Sequence, residues 1–175
     1  MKKYIALLRG INVGGNNKVS MQELKKVFEG LVFDDVSTYI NSGNVIFSSD
    51  KRVDAEKIEN GLEKGFGFSI KVVVRDAENI QKLAKEIPSN WKNDADMKTD
   101  VLFLWDEFNK KETIELLNSK ENIDTLLYFD GAIVWHILRE NYNKSAMHAF
   151  IGSVVYKNMT ARNVNTVRKL AEMLK

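Results

Sequence analysis

The chain has 175 residues, 44% apolar and 29% charged, a composition that supports a buried core and excludes a disordered or fibrous protein. Its 26 basic and 24 acidic side chains leave a formal charge of +2, too balanced to imply nucleic acid or an anionic membrane as partner. There is no cysteine, which excludes disulfides, thiolate metal sites and a cysteine nucleophile.

The opening MKKYIALLRG is basic, but Arg9 ends its apolar run too soon for a secretory leader. No stretch reaches membrane-spanning length, so a cytoplasmic address is expected. The triplets Asn143-Lys144-Ser145 and Asn158-Met159-Thr160 then lose their meaning as glycosylation acceptors. Residues 3–9 read as a buried strand, short and bounded by glycine. After a loop, Met21, Leu24, Val27, Phe28 and Leu31 fall on one helical face. VSTYI and NVIF flank Asn41-Ser42-Gly43-Asn44, a hairpin signal. Ile58, Leu62 and Phe66 predict a second helix, with Gly65 as its C-cap, and SIKVVV a fourth strand. The order β-α-β-β-α-β is the ferredoxin-like plan.

A helix is predicted from about residue 76 to 87, closed by Pro88, the sole proline. PSNWKNDADMK follows as a polar linker. TDVLFLW is a strand, a helix is expected over residues 109–118, and TLLYF pairs with AIVWHIL across Asp130-Gly131. Helices are expected over residues 146–157 and from Thr160 to the end. The reading is therefore an α+β chain of two ferredoxin-like halves with antiparallel sheets. Residues 1–75 form the first half, 76–98 a connecting helix and linker, and 99–175 the second half. That second half is expected to be incomplete, ending in a helix where a fourth strand should stand.

Three motifs, ALLRGINVGG, TYINSGNV and TARN followed by Asn165, Thr166 and Val167, lie towards both ends of the chain. Together they resemble an uncharacterised bacterial family, a domain of unknown function built of paired ferredoxin-like halves. The resemblance implies the fold and brings no established activity. Val164 departs from the family pattern, which usually carries tryptophan there. If that tryptophan stacks on a ligand, this chain has lost the contact; if it is a core residue, valine fills less space.

The loop over residues 10–19 is ten residues long, against a usual connection of about four to six. Gly10 and Gly15 have P-loop spacing, but Asn16-Asn17 replace the required Lys and Ser/Thr, and Lys18 comes too late. Ser20 with Glu23 reads as a capping box and Val19 with Leu24 as its staple, which occupies donors that an anion would need. An anion here would rest on loop amides, Arg9 or Lys18. The ferredoxin-like topology also places residues 41–44 at the same end of the sheet. A ligand rim of Arg9, Asn12, Gly14, Gly15, Lys18, Asn41, Ser42 and Asn44, joined by Asn16 and Asn17, is one reading. The other is that asparagine and glycine serve turns because they tolerate left-handed backbone. A second candidate is Thr160, read as an N-cap, with Arg162 and Asn163 in an uncompensated first helical turn suited to an anion.

Lys64-Gly65-Phe66-Gly67-Phe68 matches the start of an RNA-recognition signature, but it follows a predicted helix and then breaks at Ser69 and Lys71. His136 and His148 have no carboxylate at metal-like spacing, and no cofactor or metal is expected. No catalytic acid, base or nucleophile stands out. Three functions stay open: binding of an anionic, phosphate- or nucleotide-like small molecule; single-stranded nucleic-acid binding on a sheet face, which the composition disfavours; and a non-catalytic homo-oligomeric module.

Overall fold

The apolar run after Lys3 forms β1, Lys2–Leu8, in which all four residues from Ile5 to Leu8 are buried. This is a computed structural model describing residues 1–175. Along the first half follow α1 (Met21–Gly30), β2 (Asp34–Tyr39), β3 (Asn44–Ser49), α2 (Ala55–Phe66) and β4 (Val72–Asp76). The strands make one antiparallel sheet in the order β2-β3-β1-β4. Alternation along the strands sends Ala6, Leu8, Val45 and Phe47 to one face, where Leu24 and Phe28 of α1 and Ile58 and Leu62 of α2 complete a core. Burying a Phe or Leu side chain there contributes about 1.5–3 kcal/mol.

Two glycines one turn apart let α1 and α2 approach. A Cβ added to Gly61 would lie 2.9 Å from Leu31 Cδ1, and one added to Gly65 would lie 2.8 Å from Val27 Cγ2. Gly65 is thus a packing residue. The C-cap is Gly67, left-handed at φ +78°, whose amide donates to the Glu63 carbonyl at 2.8 Å. Phe66 and Phe68 are partly buried against the core of this half, and neither belongs to a strand. At the start of β4, the Glu59 carboxylate accepts from the Val72 amide at 3.1 Å and from Lys71 Nζ at 2.6 Å.

β4 runs without a turn into α3 (Ala77–Glu86). Beyond residues 87–96 come β5 (Met97–Leu104), β6 (Thr125–Phe129), β7 (Ala132–Leu138), the short α4 (Val154–Lys157), β8 (Met159–Asn163) and α5 (Val164–Met173). The helix expected over 109–118 is two 3₁₀ segments, Asp106–Phe108 and Lys111–Leu117; Thr113 Oγ1 donates to the Phe108 carbonyl at 2.6 Å and tightens their junction. Residues 146–157 likewise divide into a 3₁₀ segment, Ala146–Phe150, and α4. The second sheet is antiparallel in the order β6-β7-β5-β8, so this half is complete, contrary to the expectation of a missing strand. Met159–Asn163 is that strand, and it passes directly into α5. Leu102, Leu104, Ile133, Trp135 and Ile137 meet Met147, Phe150 and Val155 in the second core. By packing, the chain forms two units, Met1–Ala77 with Leu174–Lys175, and Glu78–Met173. No helix is long and apolar enough to cross a membrane.

Gly65→Val should destabilise the chain by about 1–3 kcal/mol, because the short Val27 side chain cannot swing away from the added methyls. Denaturant unfolding measures this.

Candidate functional site

At one end of the first sheet, two backbone hydrogen bonds gather three connections. The Leu8 amide donates to the Gly43 carbonyl at 2.8 Å and the Arg9 amide to the Lys71 carbonyl at 2.9 Å. Gly43 has no room for a side chain, since a Cβ would lie 2.8 Å from both Leu8 Cβ and Ile11 Cδ1, and its φ is +78°. The glycine loop itself is a miniature hairpin. The Asn16 amide donates to the Val13 carbonyl and the Asn12 amide to the Asn17 carbonyl, each at 3.1 Å, with Val13 and Asn16 bridged. Gly14 and Gly15 hold φ +60° and +81°, the paired positive values that a two-residue type I′ turn requires. A Gly-Gly pair is a sequence signal for that turn, and it accounts for both glycines.

Asn12 fastens the hairpin at its base. Its Nδ2 donates to the carbonyls of Val19 and Asn41, both at 2.9 Å, and its Oδ1 accepts from the Val19 amide at 2.8 Å. One carboxamide thus joins the glycine loop, the start of α1 and the β2–β3 turn. Asn17 Nδ2 donates to the Gly10 carbonyl at 3.1 Å, and buried Asn44 Nδ2 to the Tyr39 carbonyl at 2.9 Å and Ser42 Oγ at 3.1 Å. The structure therefore brings the rim residues together, and their amides largely hold the backbone. Gly14 and Gly15 are exposed at the tip, Lys18 is exposed just past the base of the hairpin, and Arg9 is half-buried. Ser20 caps α1 by accepting from the Glu23 amide at 3.4 Å, without the return bond from Glu23 that a full capping box has.

The second half builds the same end with fewer residues. The Leu104 amide donates to the Gly131 carbonyl at 3.0 Å and the Trp105 amide to the Asn158 carbonyl at 3.1 Å. Asn109 takes the fastening role: its Oδ1 accepts from the Gly131 amide at 2.7 Å and Tyr128 Oη at 2.9 Å, while its Nδ2 donates to Asp130 Oδ1 at 3.0 Å. No glycine hairpin accompanies it. The loop–turn junction therefore belongs to the fold, and the hairpin over residues 13–16 is additional to what the fold needs.

Thr160 and Arg162 are not at a helix start. Both lie in β8, buried, with the guanidinium Nη1 donating to Thr160 Oγ1 at 3.0 Å and the Ala161 carbonyl at 2.8 Å. Burial pulls the Arg162 pKa down to about 10, which leaves it cationic near neutrality. Arg75 in β4 does the same, donating through Nη1 to the Val74 carbonyl at 2.8 Å. Asn163 is the residue that caps α5, its Oδ1 accepting from the Thr166 amide at 2.9 Å. Val164 is fully buried, so the position is a core one.

Two features escaped the sequence reading. Ile40, at the rim and 46% exposed, holds φ +49°, a left-handed conformation that opposes its β-branched side chain. Asp124, in a stretch without a motif, accepts from Trp135 Nε1 at 3.0 Å, the Lys120 amide at 3.0 Å, the Ala146 amide at 3.2 Å and Ser145 Oγ. Burial opposes its ionisation, but these donors outweigh burial and hold its pKa below the usual carboxylate value. No three His, Asp or Glu side chains cluster as a metal site would need.

Residues 1–135 match the model of a family described as protein of unknown function (DUF1697). The solved structure of a conserved bacterial protein, SP0830 from Streptococcus pneumoniae, superimposes with a TM-score of 0.84 at 32% identity, over 99% of both chains. No curated protein matches.

Asn12→Ala removes three hydrogen bonds and should cost about 1.5–3 kcal/mol, with faster amide exchange over residues 12–19. For Asp124 the folded pKa is depressed, so its contribution is present above the ordinary value of 3.8 and is lost as pH falls through the folded value. Asp124→Asn should therefore be less stable than the parent at neutral pH, and the difference should close in acid; denaturant titrations across pH measure it.

Proposed function

We propose, from the premise that this chain belongs to the DUF1697 family, that the rim of the first half binds an anionic small molecule of phosphate- or nucleotide-like chemistry, in the cytoplasm. The observation that carries this reading is the hairpin over residues 13–16. It is absent from the equivalent connection of the second half, yet it is rigidly based on Asn12 and ends in exposed glycines, with exposed Lys18 following its base. Glycines without side chains leave the backbone amides at the tip open to a ligand, and Lys18 supplies the charge. Ile40 adds support, since backbone strain is tolerated where function repays it, at about 1–3 kcal/mol per residue. Buried Thr160 and Arg162 support the interior of the second half, so this reading rests on Arg9, Lys18, Gly14 and Gly15.

Nothing at the rim pairs an acid with a base or offers an activated nucleophile, so the role proposed is binding. The sheet-face nucleic-acid alternative loses its aromatic platform, because Phe66 and Phe68 belong to the end of α2 and the core beneath it.

Thermal shift against pyrophosphate and nucleoside phosphates tests the proposal. At 100-fold excess over Kd a ligand stabilises by about 2.7 kcal/mol, a rise of roughly 5–10 °C for a chain of this size. The rise should shrink in Lys18→Ala and with added salt. A rise that survives Arg9→Ala combined with Lys18→Ala would remove the rim from consideration.

A further inference from the structure

We propose that Trp91 and His136 form an acid-sensitive clasp that holds residues 88–96 against the second sheet. The composition of this segment is that of a linker, yet it is strapped down along its length. Arg168 of α5 donates through Nη1 to the Trp91 carbonyl at 2.7 Å and through Nη2 to the Pro88 carbonyl at 2.9 Å. Asn165 Nδ2 donates to the Asn93 carbonyl at 2.9 Å, and Arg139 reaches Asn93 Oδ1 at 3.2 Å and the Asp94 carbonyl. None of these side chains changes charge between about pH 5 and 8.

One further attachment does. The Trp91 ring lies flat on the His136 imidazole, with centroids 4.3 Å apart and planes 8° from parallel. His136 Nδ1 shares a hydrogen bond of 2.8 Å with Thr99 Oγ1, and Thr99 is fully buried. The sheet register shows what else faces the ring. Thr99 of β5 and Thr125 of β6 are its cross-strand neighbours, both neutral. On β8, Arg162 pairs with Val101, two residues beyond Thr99, and so shares the face as a cation. Lys98 and Asp100 point to the opposite face, where they pair with each other. On the segment itself, Lys92 and Asp96 flank the turn, and the Asp94 carboxylate accepts from the Asp96 and Met97 amides at 3.0 Å. From α5, the Arg168 guanidinium is turned to carbonyls. An imidazolium in this position would lose hydration without gaining a counter-charge.

Burial accordingly holds the His136 pKa below its ordinary 6.5. The sign follows. With the closed-state pKa below the open-state value, the clasp is strongest above about pH 6.5 and weakens as pH falls through the closed-state value. Acid then favours release of residues 88–96 while the two cores stay folded.

Hydrogen exchange of the intact chain, corrected for intrinsic rates, tests this at about pH 7.5 and about pH 5.5. Protection of the amides over residues 91–94 should fall on acidification, by up to roughly tenfold because about one unit separates pH 5.5 from the ordinary value of 6.5, with the β5 and β7 amides unchanged. In His136→Gln that pH dependence should vanish. Equal protection at both pH values, or an equal fall in His136→Gln, would overturn the clasp. Should His136→Gln not fold, the NMR titration of His136 in Trp91→Leu decides: its pKa should rise towards 6.5, and an unmoved value refutes the stack as the cause.

Discussion

The carboxamide of Asn12 is the point from which the end of the first sheet is organised. It holds both backbone groups of Val19, the residue immediately before the cap of α1, and its second donor hydrogen holds Asn41. The direction in which α1 leaves, the base of the glycine hairpin and the position of the β2–β3 turn are therefore one constraint. Asn is suited to it because the side chain offers donor and acceptor together and tolerates the left-handed backbone found here, at φ +54°. Aspartate would lose both donated bonds, and glycine would supply the backbone without the clamp. The strain at Ile40 sits directly beside the carbonyl that Asn12 captures.

The two halves reach one topology by different local means. In the first, α1 and α2 pack closely because Gly61 and Gly65 bring the helix surfaces together. In the second, the corresponding connections are short 3₁₀ segments, and polar junctions at Asn109 and Asp124 carry the ordering that regular helices provide in the first. A carboxylate that gathers four donors replaces the repetitive hydrogen bonding of an α-helix. Side-chain hydrogen bonds fix particular points only, and the backbone between them is correspondingly irregular.

Much of the fold was legible because apolar runs and their periods survive any rearrangement of loops. The strands VLFLW and AIVWHIL, the Asp130-Gly131 turn and the faces of α1 and α2 carry that signal directly. β8 did not, because Met159–Asn163 is a strand in which two of the three buried positions are Thr160 and Arg162, so no apolar run marks it. Thr160 then resembled an N-cap, although the true cap, Asn163, stands three residues later. β4 passes into α3 in the same abrupt way, but the valines of SIKVVV declare a strand there. At the site, topology correctly gathered the loops, whereas composition alone could not separate asparagines that bind the backbone from ones that face a ligand. Only the hydrogen bonds of Asn12, Asn17 and Asn44 in the structure make that distinction.

The arginines that fold back onto their own strands bear on solubility. β4 and β8 are terminal strands, and the bonds from Arg9 to Lys71 and from Trp105 to Asn158 fix the alternation so that Val72, Val74 and Ala161 direct their backbone groups away from the sheet. Arg75 covers the Val74 carbonyl, Arg162 covers that of Ala161, and Glu59 covers the Val72 amide. On β2, the bulge between Asp34 and Ser37 breaks the register. The first three occupy groups that an incoming strand would have to bond and the bulge spoils its register, so three of the four sheet margins resist edge-to-edge aggregation without help from a neighbouring molecule.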